Sequence, residues 1–140
     1  MDYKNYFDSK AYQSKNKNTK DLIHFFSKSE LKTLSKNTIS IVGTNGKTST
    51  ANIIHKLLIQ EKIKSTKFIS PHLIDFKERI ESTSDQHFID AFVEVKKFEE
   101  KAKLNLGYFE ALFLMSSKVF LLNNESNFLI ASFVLVTSSL

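Results

Sequence analysis

Hydrophobic positions change their period along the chain, and these changes predict the order of the elements. Short apolar runs with β-branched residues occur at 38–42 and at 64–70, and both are typical of strands. Apolar residues at helical spacing follow each run, over about 48–61 and about 87–103. We therefore predict an α/β fold in which parallel strands are joined by crossover helices.

The helix predicted at about 48–61 has a clear apolar stripe. Ile53, Ile54, Leu57 and Leu58 fall on one of its faces, which predicts that this face packs on the sheet. His55 falls on the opposite face, where we expect it to be solvated rather than to act as a ligand. Before the helix that runs to about residue 103, Thr83 and Gln86 form a capping-box pair.

The C-terminal half is more apolar than the rest. Residues 109–122 are apolar nearly all round, which predicts a buried helix, and residues 128–136 form a continuous apolar run typical of a central parallel strand. Both stretches are shorter than the ~20 residues that a membrane span needs, and Lys118, Asn123 and Glu125 interrupt them. We expect a soluble core and no membrane association.

The N-terminal residues carry a weaker pattern. Residues 1–17 are polar and aromatic without a clear period and predict a short helix or a tether. Thr19 is placed to cap a helix over about 19–34, in which Leu22, Phe25 and Leu31 keep roughly helical spacing. We interpret residues 1–37 as an N-terminal helical segment and residues 38–140 as a separate domain.

A glycine-rich turn joins the first predicted strand to its helix. Two of the three glycines of the chain, Gly43 and Gly46, lie in the sequence Gly-Thr-Asn-Gly-Lys-Thr-Ser. Glycine lets backbone N–H groups turn towards an anion, and the N-terminus of the following helix adds further donors. Lys47 would reach the β- and γ-phosphates, and either Thr48 or Ser49 could approach Mg²⁺. The turn therefore predicts a phosphate-binding P-loop, although only two residues separate its first glycine from the Gly-Lys pair.

Composition narrows the function classes. The chain has no cysteine, which excludes disulfides and thiolate metal sites and fits a cytoplasmic protein. The net charge of +5 could indicate nucleic-acid binding. The lysines are scattered among acids, however, and Arg79 is the single arginine. We expect a solvated basic surface and no nucleic-acid partner.

Three motifs together carry a family resemblance. Gly-Thr-Asn-Gly-Lys-Thr-Ser-Thr at 43–50 is followed by Ser-Pro-His-Leu-Ile-Asp-Phe-Lys-Glu-Arg-Ile at 70–80 and by Tyr-Phe-Glu at 108–110. The chain resembles the folylpolyglutamate synthase/dihydrofolate synthase family within the Mur ligase superfamily. The resemblance covers residues 38 to about 130, and it implies that the chain is the N-terminal part of a longer ligase. Residues 38–140 would then be an incomplete ATP-binding domain of the Mur ligase type.

The resemblance also implies roles for individual residues. Lys47 and Glu110 would be catalytic, and Ser70, Glu110 and Thr48 would hold Mg²⁺. The ATP-binding set would be Gly43, Thr44, Asn45, Gly46, Lys47, Thr48 and Ser49. The substrate-binding set would be Pro71, His72, Asp75, Phe76 and Arg79.

The reaction implied by the resemblance uses ATP to phosphorylate a carboxylate of dihydropteroate or folate. The amine of L-glutamate then attacks the acyl phosphate, and an amide bond forms. ATP and Mg²⁺ would be the cofactors, and the full-length enzyme would be a cytoplasmic monomer of folate biosynthesis. We expect this chain alone to lack ligase activity, since the acid and Gly-rich turn of the family pattern do not follow its last strand.

Two alternatives stay open. Thr48 is the residue found after the loop lysine in peptidoglycan Mur ligases, which favours a fragment of that type, whereas the Ser-Pro-His-Leu sequence argues against it. The chain could also be a non-catalytic nucleotide-binding remnant.

Overall fold

Four stretches of the chain, residues 3–10, 19–70, 76–82 and 87–131, are described by the computed structural model. The α-helices in these stretches are α1 (Tyr3–Asp8), α2 (Lys28–Asn37), α3 (Lys47–Gln60), α4 (Phe88–Ala102) and α5 (Tyr108–Leu122). The strands are β1 (Thr38–Ser40), β2 (Ser65–Ile69), β3 (Ile80–Ser82) and β4 (Asn127–Ala131). Two 3₁₀ helices cover Thr19–Phe25 and Phe76–Arg79.

The strands form one mostly parallel sheet in the order β1–β4–β2–β3. β4 is central and pairs in parallel with β1 on one side and with β2 on the other, so that Ile130 lies between Ser40 and Phe68. Four of the five residues of β4 are buried, as its continuous apolar run predicts. The predicted α/β class with parallel strands and crossover helices is confirmed.

The edge strand β3 was not predicted by the sequence pattern. It runs antiparallel to β2, with Phe68 opposite Ile80 and Thr66 opposite Ser82. Polar side chains anchor it, since Ser82 and Thr66 both donate to the buried carboxylate of Glu125, each at 2.5 Å. A strand of three residues is too short to show an alternation of apolar and polar residues. The residue that anchors it, Glu125, lies more than forty positions further along the chain.

Most of the core lies on the side of the sheet that α4 and α5 cover. Eleven of the fifteen residues of α5 are buried, which confirms the predicted buried helix. Aromatic rings fill the contact with the sheet, where Phe120 stacks on Phe128 at 5.4 Å between ring centroids. Phe7 of α1 packs edge-to-face on Tyr108, so the short N-terminal helix joins the same core.

The predicted single helix over about 19–34 is wrong. A 3₁₀ helix ends at Phe25, and α2 begins after Ser27. Ser27 Oγ accepts a hydrogen bond from the Glu30 N–H at 3.1 Å, and Ser27 N–H donates to Glu30 Oε1 at 3.0 Å. This reciprocal capping box starts a new helix and interrupts the apolar spacing. The division of the chain after residue 37 stays a prediction.

The predicted inward face of α3 is also wrong. Its buried residues are Lys47, Ala51 and His55, which lie four residues apart on one face. Ile53 is 59% exposed and Leu57 is 54% exposed, whereas Ile54 and Leu58 are half-buried, so half of the apolar stripe faces outwards. The polar contacts of His55, given below, and the small Ala51 decide which face meets the sheet.

Some predictions fall on residues that the structure does not describe. They are the Thr83–Gln86 capping pair and the continuation of the last strand beyond residue 131. α4 itself begins at Phe88, with His87 as its N-cap. Across the described ranges, no helix has the length and apolar character needed to cross a membrane.

Candidate nucleotide-binding site

The predicted P-loop connects the end of β1 to α3 through a turn in which two glycines have positive φ. Gly43 has φ of 150° and Gly46 has φ of 78°, so side chains at either position would strain the backbone. The space around Gly46 would admit a Cβ, since no heavy atom lies within 4 Å of the ideal position. Backbone conformation, not crowding, therefore requires glycine at position 46.

The N-terminus of α3 is open to an anion. Gly46 is its N-cap and supplies no side-chain hydrogen bond to the first turn. Gly46, Thr44 and Asn45 are exposed, and Thr48 is half-buried. The first N–H groups of a helix lack partners within the helix, and the positive end of the helix dipole is at the same place. These features fit phosphate binding.

Lys47 is held against the loop that it would serve. Its side chain is largely buried, and Nζ donates to the Gly43 carbonyl oxygen at 2.6 Å. This bond holds the ammonium group, which has three N–H donors, over the loop. The structure thus places the predicted countercharge beside the two glycines.

The loop lies at the carboxyl edge of the sheet, and Ser70 lies at the same edge. Ile41 N–H donates to Ile130 O at 2.8 Å, and Ser70 N–H donates to Ala131 O at 3.2 Å. The loop after β1 and the residue after β2 therefore flank the end of β4. Ligands of open α/β sheets bind in the crevice outside this edge.

Arg79 links this edge to the start of α5. The side chain is largely buried, Nη1 donates to Ser70 Oγ at 3.2 Å, and the guanidinium carbon lies 5.1 Å from the centre of the Tyr108 ring. Ser70, Arg79 and the first turn of α5 are thus brought together, although nine and twenty-nine residues separate them.

Glu110 lies in that first turn. Its Oε2 accepts a hydrogen bond from the Gly107 N–H at 3.0 Å, which caps α5. A carboxylate here also meets the positive end of the helix dipole. Within the described part of the chain, no group of three His, Asp or Glu side chains could hold a metal ion. Ser70, Glu110 and Thr48 would supply hard oxygen ligands, and water or phosphate oxygens would complete a Mg²⁺ site.

The remaining predicted site residues are only partly described. Pro71, His72 and Asp75 lie outside the described residues, as does the side chain of Phe76, whose backbone begins the second 3₁₀ helix. Ser49 is exposed in the first turn of α3. The choice between Thr48 and Ser49 as the residue facing the metal stays open.

Sequence reasoning missed a polar cluster under α3. His55 is 1% exposed instead of solvated, and its Nδ1 lies 2.6 Å from Ser65 Oγ. Its Nε2 lies 3.8 Å from Glu81 Oε1, and Lys67 forms an ion pair with the same carboxylate and a 2.6 Å hydrogen bond to Asn52. Burial lowers the pKa of His55, opposed by Glu81 and Glu125 and reinforced by Lys67. Lys67 lowers the pKa of Glu81 against the opposing effect of burial.

The cluster has a weak signal in the sequence. Ser65 and Lys67 alternate along β2 with Thr66 and Phe68, so both faces of that strand carry polar residues. A polar residue that repeats every second position on a fully buried strand requires partners, and His55 and Asn52 of the neighbouring helix supply them.

Comparison with known sequences gives matches to folate enzymes. The chain is 34% identical over 91 residues to dihydrofolate synthase/folylpolyglutamate synthase of Buchnera aphidicola subsp. Schizaphis graminum, covering 62% of this chain and 21% of that protein. It is 31% identical over 94 residues to mitochondrial folylpolyglutamate synthase of Cricetulus griseus, covering 61% of this chain and 16% of that protein. The chain therefore corresponds to about a fifth, or less, of these relatives. No protein-family model matches it.

Solved structures agree with the sequence matches on the fold. The bifunctional folylpolyglutamate synthase/dihydrofolate synthase from Yersinia pestis, complexed with AMPPNP and a Mn ion, aligns over 95% of this chain and 33% of its own. The TM-score is 0.70 at 20% sequence identity, so the likeness shows a shared fold. Sequence similarity and fold together confirm the resemblance: this chain is similar to part of the enzymes named folylpolyglutamate synthase and dihydrofolate synthase.

Proposed function

We propose that this chain is the nucleotide-binding part of an ATP-dependent ligase that joins L-glutamate to dihydropteroate or folate. The observation that carries the proposal is the loop at Gly43–Lys47, which has two positive-φ glycines, an open helix N-terminus and a lysine fixed above them. It occupies the sheet edge expected of a nucleotide site. Relatives that match the chain in sequence carry this activity in their names, and the Yersinia pestis relative binds AMPPNP.

We propose different roles for the residues of the site. Backbone N–H groups of residues 43–49 bind the ATP phosphates, and Lys47 neutralises the charge that develops at the γ-phosphate. Ser70, Glu110 and Thr48 would hold the divalent cation, which supplies further charge neutralisation during phosphoryl transfer. Little covalent chemistry is left to the protein in such a reaction, because positioning and electrostatic stabilisation dominate. Pro71, His72, Asp75, Phe76 and Arg79 would border the pterin substrate.

The proposal also covers the cellular location, the partners and the oligomeric state of the protein. A chain without cysteine fits a reducing cytoplasm, and lysines scattered among acids along the sequence favour no nucleic-acid partner. We infer a cytoplasmic protein of folate metabolism whose partners are small molecules, and a monomer when full length.

The direct test is Lys47→Ala, measured as the affinity for ADP and ATP by calorimetry. Loss of a charged hydrogen bond to phosphate should weaken binding by about 1.5–3 kcal/mol. Lys56→Ala is the matched control, because Lys56 is exposed on the same helix and lies two turns from the loop. An unchanged nucleotide affinity in a folded Lys47→Ala protein would contradict the proposal.

A second assay distinguishes a folate substrate from a peptidoglycan precursor. Glutamate-dependent phosphate release is measured with dihydropteroate or folate, and in parallel with a muramoyl-nucleotide substrate. Turnover with a folate substrate supports the ligase proposal, and turnover with the muramoyl nucleotide supports the peptidoglycan alternative. Nucleotide binding without any turnover is the result expected of this chain alone, and it is shared by part of a ligase and by a nucleotide-binding remnant.

A further inference from the structure

Two of the three residues expected to hold the cation, Ser70 and Glu110, are already engaged by protein donors. Ser70 Oγ accepts a hydrogen bond from Arg79 Nη1, and Glu110 Oε2 accepts one from Gly107 N–H. The two contacts differ in kind. The Gly107 donor is neutral, whereas the Arg79 donor carries a full positive charge that protein environments do not remove.

Arg79 is fixed at this place by more than one contact. It is 7% exposed, and its guanidinium lies over the face of Tyr108, which is itself buried. The next residue, Ile80, pairs with Phe68 of β2, so the backbone directly after Arg79 is part of the sheet. A planar guanidinium held on an aromatic ring keeps its donors in a defined direction.

We propose that Arg79 opposes the binding of a divalent cation at Ser70 until nucleotide phosphate is bound, and this rests on the proposed function. A cation coordinated by Ser70 Oγ would lie within a few ångströms of the guanidinium. Two positive charges at that distance repel each other strongly, and partial burial limits the screening by water.

Nucleotide phosphates would remove this opposition. The P-loop flanks β4 opposite Ser70, so a phosphate bound there brings negative charge to the same edge of the sheet. That charge attracts both the cation and the guanidinium, and Arg79 can then release the Ser70 hydroxyl in exchange for a phosphate oxygen. Cation binding and nucleotide binding would therefore be positively coupled, and the coupling would depend on the charge of residue 79.

The test measures Mn²⁺ affinity by electron paramagnetic resonance, with and without ADP. In the unmodified chain, ADP should raise the affinity for Mn²⁺ by about tenfold or more, within the usual range of coupling between sites. Arg79→Met should raise the affinity for Mn²⁺ alone by a similar factor, about tenfold, because the positive charge is lost. Arg79→Lys keeps the charge and should bind Mn²⁺ alone as weakly as the unmodified chain does.

Ser70→Ala in the Arg79→Met background should abolish the gain, which places the cation at Ser70. The inference is overturned if folded Arg79→Met binds Mn²⁺ alone no better than the unmodified chain. It is equally overturned if the unmodified chain binds Mn²⁺ as tightly without ADP as with it, a result that needs no variant. ADP binding is measured on the same samples. If the unmodified chain fails to bind ADP, the proposed function itself is wrong, whatever the variants do.

Discussion

The two faces of the sheet differ sharply in how they are packed. On one face, α4 and α5 cover a continuous apolar core that also takes in side chains of α1 and α2. On the other, the buried apolar cluster is limited to Ala51, Ile69 and Ala131, with Ile41 partly buried beside it. The loop that we propose as the nucleotide site leads into α3, which packs on the second, sparsely packed face. We infer that the α5 face supplies most of the stability and that the α3 face supplies the site.

The contacts beneath α3 combine this small apolar cluster with buried polar groups, whereas the contacts between α5 and the sheet are mainly apolar. His55, Ser65 and Lys67 meet there, with Glu81 contributed by the neighbouring edge strand. Hydrogen bonds fix the position of α3 on the sheet, but each contributes only about 1 kcal/mol net to the stability of the fold. The position of the P-loop helix therefore depends on a few directional contacts more than on buried area.

The largest expected effect compares the same substitution on the two faces. Leu112→Ala on α5 removes a fully buried side chain and should destabilise the fold by about 2–5 kcal/mol. Leu57→Ala on α3 removes a side chain that is 54% exposed and should cost less than about 0.5 kcal/mol. Urea denaturation of both variants measures the difference, and similar losses for the two would refute the contrast between the faces.

A smaller effect concerns pH and the polar cluster. Burial lowers the pKa of His55 in the folded chain below its ordinary value of 6.5. Between pH 6.5 and the lowered pKa, His55 therefore binds a proton in the unfolded chain and not in the folded chain. The contribution of His55 to stability is therefore present above its unfolded pKa and is lost as pH falls through its folded pKa. One proton limits the slope to about 1.4 kcal/mol per pH unit.

His55→Gln removes this titration and keeps a side chain that can hydrogen-bond Ser65. Its free energy of unfolding should depend less on pH between 7.5 and 5 than that of the unmodified chain. The carboxylate of Glu81, whose pKa is lowered, stays charged in this window and contributes to both curves alike. If the free energy of unfolding depends on pH equally in His55→Gln and in the unmodified chain, His55 is not buried in its neutral form. His87→Gln, a change at the half-buried N-cap of α4, is the control.

Much of the α5 face could be predicted from the sequence. Residues 109–122 are apolar on all sides, so any packing of that helix must bury it, and the run at 128–131 requires a central strand. The glycine turn before α3 was also predictable, because Gly43 and Gly46 act within their own backbone; its role in phosphate binding stays a prediction. In each case the signal lies within a few consecutive residues.

The α3 face was mispredicted for the opposite reason. The hydrophobic pattern of α3 favours Ile53 and Leu57 as its inner face, but the partners of His55 lie on β2 and β3, ten and twenty-six residues further along. A local period cannot report such contacts. The contacts of Arg79 with Ser70 and Tyr108 are likewise hidden from a local pattern. They depend on how the ends of β2, β3 and α5 meet at one edge of the sheet.

The most direct test of the account is a titration of the ¹⁵N-labelled chain with ADP and Mg²⁺, followed through its backbone amide signals. If phosphate binds where we propose, the largest shifts occur at Gly46, Lys47 and Thr48, and Lys47→Ala reduces them. Shifts centred instead on the depression lined by Tyr3, Ser82 and Phe88 would contradict the account, as would an absence of shifts at saturating ADP.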